Sequence, residues 1–178
     1  GDLVEEKDRF KGKSGKLDWT PAGEQCPTIQ KVYNEKIRPI LDKDARINIL
    51  KTFSGNILHE HIDCQEKEIG TNQHKLRVVL QGDIDKLYFR DENGGKWNVP
   101  KEYNTYVMDG GHLHALEEST ETKITMCIGA PWRGRKTKAY KEVLEKSPFT
   151  KKVGYPPVKD EHIDPRFKDE DNSGTVST

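Results

Sequence analysis

Two stretches of this chain alternate apolar and polar residues with a period of two. In 75–81, Leu76, Val78 and Leu80 fall on one side and Arg77, Val79 and Gln81 on the other. In 122–129, Ile124, Met126 and Ile128 oppose Lys123, Thr125 and Cys127. Such alternation predicts β-strands, whose successive side chains point to opposite faces. Each strand has a greasy side and a side with one long cation. Helices covering one face and a pocket lining the other would produce that pattern. Further strands are predicted over 45–53, 55–63, 86–90 and 103–108, with a hairpin turn at Asn93, Gly94 and Gly95. Short strands at this spacing predict a mainly-β sandwich or barrel.

Two stretches follow helical spacing instead. Pro27 suits a first helical turn, and Ile29, Val32, Tyr33 and Ile37 recur on one face until Pro39 interrupts. Residues 136–146 place Tyr140, Val143 and Leu144 together, before Ser147 and Pro148. Residues 1–25 are polar and broken by glycine and proline, which predicts a loose arm. Residues 151–178 hold Pro156, Pro157 and Pro165 among many charges, which predicts an extended tail. The expected domain is therefore 26–150, between an arm and a tail that metal binding does not need. Phe149, Tyr155 and Phe167 can still anchor the tail against the barrel.

Composition narrows the function. The 178 residues suffice for one domain, with 32% hydrophobic content. Thirty basic and 30 acidic residues cancel, which argues against a nucleic-acid partner. No apolar run approaches the roughly 20 residues that span a membrane. Gly1 to Lys7 carries no signal-peptide pattern. Cys26, Cys64 and Cys127 have neither zinc spacing nor a disulfide framework, so a reduced, cytoplasmic setting is expected.

The chemistry begins at His61 and Asp63. On a strand, residues two apart share a face, so an imidazole and a carboxylate would project side by side. Ile57 and His59 would share that face. About 50 residues later, the run 109–114 can supply a second histidine. Two histidines and one carboxylate on one side of iron leave positions open opposite, the facial arrangement of non-haem Fe(II) oxygenases. Glu161, His162, Ile163 and Asp164 repeat Glu60, His61, Ile62 and Asp63, but in a polar tail with no barrel pattern around them. His74 reads as a solvent-facing loop residue. Trp97, Trp132, Arg133 and Arg135 read as rim or packing positions.

The order His61-x-Asp63, then His114, then Lys123 resembles the Fe(II)/2-oxoglutarate-dependent oxygenases. Within them it is most similar to the aspartyl/asparaginyl β-hydroxylase and free-proline hydroxylase group. That group carries an Arg followed by alternating apolar residues, as in Leu76-Arg77-Val78-Val79-Leu80, and a distal His five positions after an Asp, as His114 follows Asp109. The resemblance covers 55–129. The group usually has Arg where Lys123 stands, and often His where Val79 stands.

The resemblance implies a double-stranded β-helix, a jelly-roll or cupin-like barrel, flanked by an N-terminal and a C-terminal helix. It implies His61, Asp63 and His114, rather than His112, as catalytic metal ligands for Fe(II). Dioxygen and 2-oxoglutarate would be co-substrates, giving succinate and CO2 with hydroxylation of a small-molecule or peptidyl amino acid. A far carboxylate buried in the pocket needs a cation. Lys123 is the candidate, with Thr125 as hydrogen-bonding neighbour and Arg77 as a second cation for co-substrate or substrate. The alternative is a cupin metalloprotein, with His59, His61, His114 and Glu66 or Glu68 as ligands, acting as isomerase, other dioxygenase or small-ligand binder. A third reading is a metal-free binding barrel.

Overall fold

A computed structural model of the chain describes residues 2–6, 17–64, 66, 69–70 and 74–163. Its strands and helices follow the order β1 (Asp2–Glu6), β2 (Leu17–Trp19), α1 (Pro21–Glu24), α2 (Pro27–Val32), β3 (Ile47–Thr52), β4 (Leu58–His61), β5 (His74–Gln81), β6 (Leu87–Arg90), β7 (Lys96–Asn98), β8 (Thr105–Asp109), β9 (His114–Leu116), β10 (Lys123–Gly129) and α3 (Lys138–Lys146). The larger sheet has the order β2-β1-β3-β10-β5-β8, the smaller β4-β9-β6-β7, and every pairing is antiparallel.

From β3 to β10 the chain changes sheet at every step except the β6–β7 hairpin. There Asp91 and Gly95 close the turn, with the Gly94 N–H donating to the Asp91 carbonyl. This doubled-back hairpin is the jelly roll, a double-stranded β-helix.

The two faces of the large sheet divide as their alternation predicts. Ile47, Leu76, Met126 and Ile128 pack outward against Tyr33, Ile37, Trp132 and Tyr140 from the helical segments. Trp132 is 1% exposed, and its indole N–H donates to the Ile40 carbonyl at 3.0 Å. The inner face meets the small sheet through Val79, Leu87, Phe89, Met108 and Leu116. Arg77 lies opposite both Cys127 and Tyr106, and Val79 lies opposite Thr125, so one row of polar inner positions crosses three strands.

Several boundaries differ from the sequence expectation. The helix predicted from Pro27 is regular only to Val32. A π-turn (Tyr33–Ile37) and a 3-10 turn (Arg38–Ile40) continue it, because Pro39 offers no N–H to an α ladder. The N-terminal arm is not wholly loose. β1 pairs with β2 and β3, extending the sheet, and Trp19 meets the Tyr33 ring edge-on at 5.9 Å. These strands are too short and charged to show alternation. His74 is buried at the start of β5, its ring 4.7 Å from that of Tyr140. Among the described residues no helix is long and apolar enough to cross a membrane, and Cys26, Cys64 and Cys127 are free thiols.

Candidate metal centre

His61 reaches the barrel interior by a different route from simple alternation. β4 pairs Leu58 with Leu116 and His61 with His114, so β4 has one more residue than β9 over that span. A bulge of this kind breaks face parity. His61 therefore turns inward beside His114, with ring centroids 4.4 Å apart, whereas Ile57 and His59 are exposed. Asp63 lies past the end of the strand, not on it. Its N–H donates to the Gly110 carbonyl at 2.7 Å, which fixes where the carboxylate starts.

The second histidine is set by a turn. Asp109 Oδ1 accepts the Gly111 N–H at 2.9 Å, and the His112 N–H donates to the Asp109 carbonyl at 3.1 Å. β9 then opens on His114, which is 3% exposed. His112 is buried but points elsewhere, its Nε2–H donating to the Arg90 carbonyl at 2.5 Å. His114 is thus the histidine brought to the site.

Both site histidines donate Nδ1–H to the backbone carbonyl two residues earlier. His61 uses His59 at 2.8 Å and His114 uses His112 at 2.7 Å. A carbonyl can only accept, so Nδ1 carries a proton, and in the neutral ring Nε2 then keeps its lone pair, the tautomer a metal requires. Those Nε2 atoms face Asp63. The His61 atom is 3.7 Å from Oδ1 and the His114 atom 3.5 Å from Oδ2. Ligands sharing one ion at about 2.1 Å each fit such spacings with little movement. Among the described residues this is the one cluster of three histidine, cysteine or carboxylate groups with metal-binding proximity.

Asp63 Oδ2 gives a second sign of fit. The atom is buried and makes no directed hydrogen bond. Lys75 Nζ is 2.5 Å away, an ion pair by distance, and Arg77 is 3.8 Å away. Burial alone would raise the carboxyl pKa. The interactions with His114 and Lys75 outweigh it and hold the group ionised, well below the usual carboxylate range. Burial, then the neighbouring His114, holds the His61 imidazole below its ordinary value and so in its neutral form. An ionised carboxylate and two imidazole Nε2 atoms make a donor set for a divalent transition metal.

Beside this set the inner face is positively charged. Lys75 and Arg77 approach Asp63 from β5. Lys123 is 5% exposed on β10, and its ammonium makes no hydrogen bond or ion pair among the described residues. Burial, then the charge of Arg77, pushes its ammonium pKa down. Thr125 is buried two residues on. Three cations thus accompany one carboxylate, an excess that favours an anionic ligand.

Sequence reading had placed Arg77, Lys123 and Thr125 on the inner face, and all three are there. It missed Lys75, although the same two-residue parity links it to Arg77. It also missed Tyr106, which only strand register brings opposite Arg77. Of the cupin ligand set, His59 and Glu66 are exposed, and Glu68 lies outside the described residues. In the repeated tetrapeptide, His162 accepts the Lys159 N–H at Nδ1, at 3.2 Å, and Asp164 lies outside the described residues.

No protein-family model and no curated protein matches the sequence. Among solved structures, an oxidoreductase of the 2OG-Fe(II) oxygenase family from Burkholderia pseudomallei aligns with TM-score 0.50 and 13% identity, over 75% of this chain and 67% of that one. A Pseudomonas putida prolyl-4-hydroxylase aligns with TM-score 0.41 and 13% identity, over 63% of this chain and 65% of that one. An RmlC-like cupin from Desulfovibrio desulfuricans gives TM-score 0.33 and 18% identity, over 51% and 76%. The chain therefore spans about two thirds of the length of the two oxygenases. At these identities the Burkholderia likeness establishes the barrel, and the chemistry rests on the residues.

Proposed function

We propose that this chain is an Fe(II)- and 2-oxoglutarate-dependent dioxygenase that hydroxylates an amino acid, free or within a peptide, with release of succinate and CO2. The observation that carries the reading is the convergence of two imidazole Nε2 atoms and one ionised carboxylate, with the buried Lys123 ammonium, which has no partner among the described residues, on the same inner face. His61, Asp63 and His114 would hold the metal. Bound iron would supply dioxygen activation, coupling oxidative decarboxylation of the keto acid to oxygen insertion into an unactivated C–H bond.

The chain's own residues supply the rest. Lys123 would neutralise the far carboxylate of 2-oxoglutarate, with Thr125 offering a hydroxyl to the same group. A lysine does so as a point charge, where arginine would fork. Arg77 would serve a second carboxylate, on co-substrate or substrate. Phe89, its ring 5.8 Å from that of His114, and Met108, Val79 and Leu116 form the apolar packing that keeps water out. The sequence resemblance to the aspartyl/asparaginyl β-hydroxylase and free-proline hydroxylase group supports an amino-acid substrate.

The test is succinate release from 2-oxoglutarate, with Fe(II), against a panel of free amino acids and short peptides. Turnover stimulated by one class of substrate, and lost in His61→Ala and Asp63→Ala, is the expected result. A folded, metal-loaded protein that never consumes 2-oxoglutarate would contradict the reading.

A further inference from the structure

The segment after α3 does not leave the barrel. Phe149 stacks on Trp97 at 5.8 Å, with the ring planes 2° apart. The Gly154 N–H donates to Glu92 Oε2 at 2.8 Å, an approach so close that a Cβ at 154 would collide with that carboxylate. The Tyr155 hydroxyl donates to Asp109 Oδ2 at 2.5 Å, on a carboxylate that Arg135 also binds. A 3-10 turn (Asp160–His162) then presents the His162 carbonyl to the Ile62 N–H at 2.9 Å. Ile62 and Ile163 form a parallel bridge, and both belong to one apolar cluster with Cys64, Leu113 and Val158.

We propose that residues 154–163 are a positioning strap for the His61–Asp63–His114 centre, in which His162 and Ile163 hold Ile62 in place. The proposal rests on reading that centre as a metal site. β4 is an edge strand, paired on one side with β9, and it ends at His61. Ile62, between His61 and Asp63, is 0% exposed and hydrogen-bonds to the strap. A further contact of the strap, Tyr155 to Asp109, braces the turn whose Gly110 carbonyl holds the Asp63 N–H and whose His112 carbonyl holds the His114 ring. The strap therefore bonds the backbone of Ile62, which adjoins both His61 and Asp63, and the side chain of Asp109, in the turn that leads to His114. Freeing a residue's backbone adds conformational entropy that ligation must then overcome. The strap's effect is thus on ligand geometry as well as stability, and a fragment ending at residue 150 would lack it.

The experiment uses the full chain and Mn(II). Ile163→Ala should weaken Mn(II) binding on the order of tenfold, the lower end for loss of an outer support. Ile163→Val, which keeps the branched side chain and the bridge, should restore it. The visible absorption of the Co(II)-loaded protein should change in Ile163→Ala and return in Ile163→Val. Val143→Ala, in the helical core on the far side of the large sheet, serves as control: it should lower the melting temperature but leave Mn(II) affinity and the Co(II) spectrum unaltered. If Ile163→Ala fails to fold, Tyr155→Phe carries the same test, with weakened Mn(II) binding supporting the strap. Wild-type affinity and an unchanged spectrum in the folded strap variants, with His61→Ala still abolishing binding, would overturn the strap alone. A wild-type protein that binds no Mn(II) would overturn the metal reading and the strap with it.

Discussion

Lys75 and Lys123 both neighbour Arg77 on the inner face yet have opposite relations to the site. The Lys75 ammonium stands 2.5 Å from Asp63 Oδ2, where it neutralises the carboxylate and competes with any divalent cation. Lys75→Met should raise Mn(II) affinity on the order of tenfold, equivalent to about 1.4 kcal/mol, read by calorimetric titration. The metal-free variant should lose about 1–3 kcal/mol, less than a fully buried pair because the lysine is 22% exposed. Lys123→Met should have the opposite effect on stability. It removes a buried charge with no ion-pair partner among the described residues, so the metal-free melting temperature should rise and Mn(II) affinity should hold. Affinity for 2-oxoglutarate should fall by two to three orders of magnitude, from loss of about 3–5 kcal/mol of a buried pair. An affinity near wild type would move that role to Arg77.

These residues also mark what the sequence could reveal. Lys123, Thr125 and Arg77 were legible because strict alternation on β5 and β10 separates an oily face from a polar one. Lys75 obeys the same alternation and was open to the same inference. His61 and Asp63 were named through a parity the chain does not use: a bulge turns His61 inward and a backbone bond to Gly110 places Asp63. Bulges leave no periodic trace, so the residue types were readable and their geometry was not. Neither were the Nδ1 contacts, which depend on carbonyls two residues away.

At the level of elements, Gly82 controls how β5 ends beside β10. It has φ +90°, and a Cβ there would lie 2.8 Å from Lys123 Cα and from the Thr122 carbonyl. Gly82→Ala combines left-handed strain with overpacking against backbone, and should cost about 2–4 kcal/mol in urea unfolding. Since the clash falls on Lys123, 2-oxoglutarate binding should weaken while Mn(II) binding persists. A variant as stable as wild type would mean the two strands can separate freely there. The strands themselves were largely legible, within a few residues at each end. The exceptions were β7 and β9, three residues each and too short to show alternation, and two long-range features. β1 and β2 earn their place by pairing with β3, and the strap by pairing with Ile62. Neither has a hydrophobic period of its own, so local pattern could not reveal them.

On the scale of the whole molecule, the large sheet separates two tasks. Its outer face carries the helical core and most of the packing, while its inner face carries the polar row and the candidate site. Metal binding should therefore couple to stability without rebuilding the core. Mn(II) at about one hundred times its Kd should add about 2.7 kcal/mol. For a chain of this size that is a rise of about 5–10 °C in melting temperature. The rise should vanish in His61→Ala and survive in His162→Ala, which alters the side chain of the repeated tetrapeptide but not the backbone carbonyl that Ile62 uses.

The most direct measurement is a crystal structure of the chain grown with Mn(II) and 2-oxoglutarate without a reductant. The account predicts one metal held by His61 Nε2, His114 Nε2 and the Asp63 carboxylate, the keto acid chelated to it, and the far carboxylate paired with Lys123. Metal held by His59 or His162, or 2-oxoglutarate bound away from the metal, would contradict it.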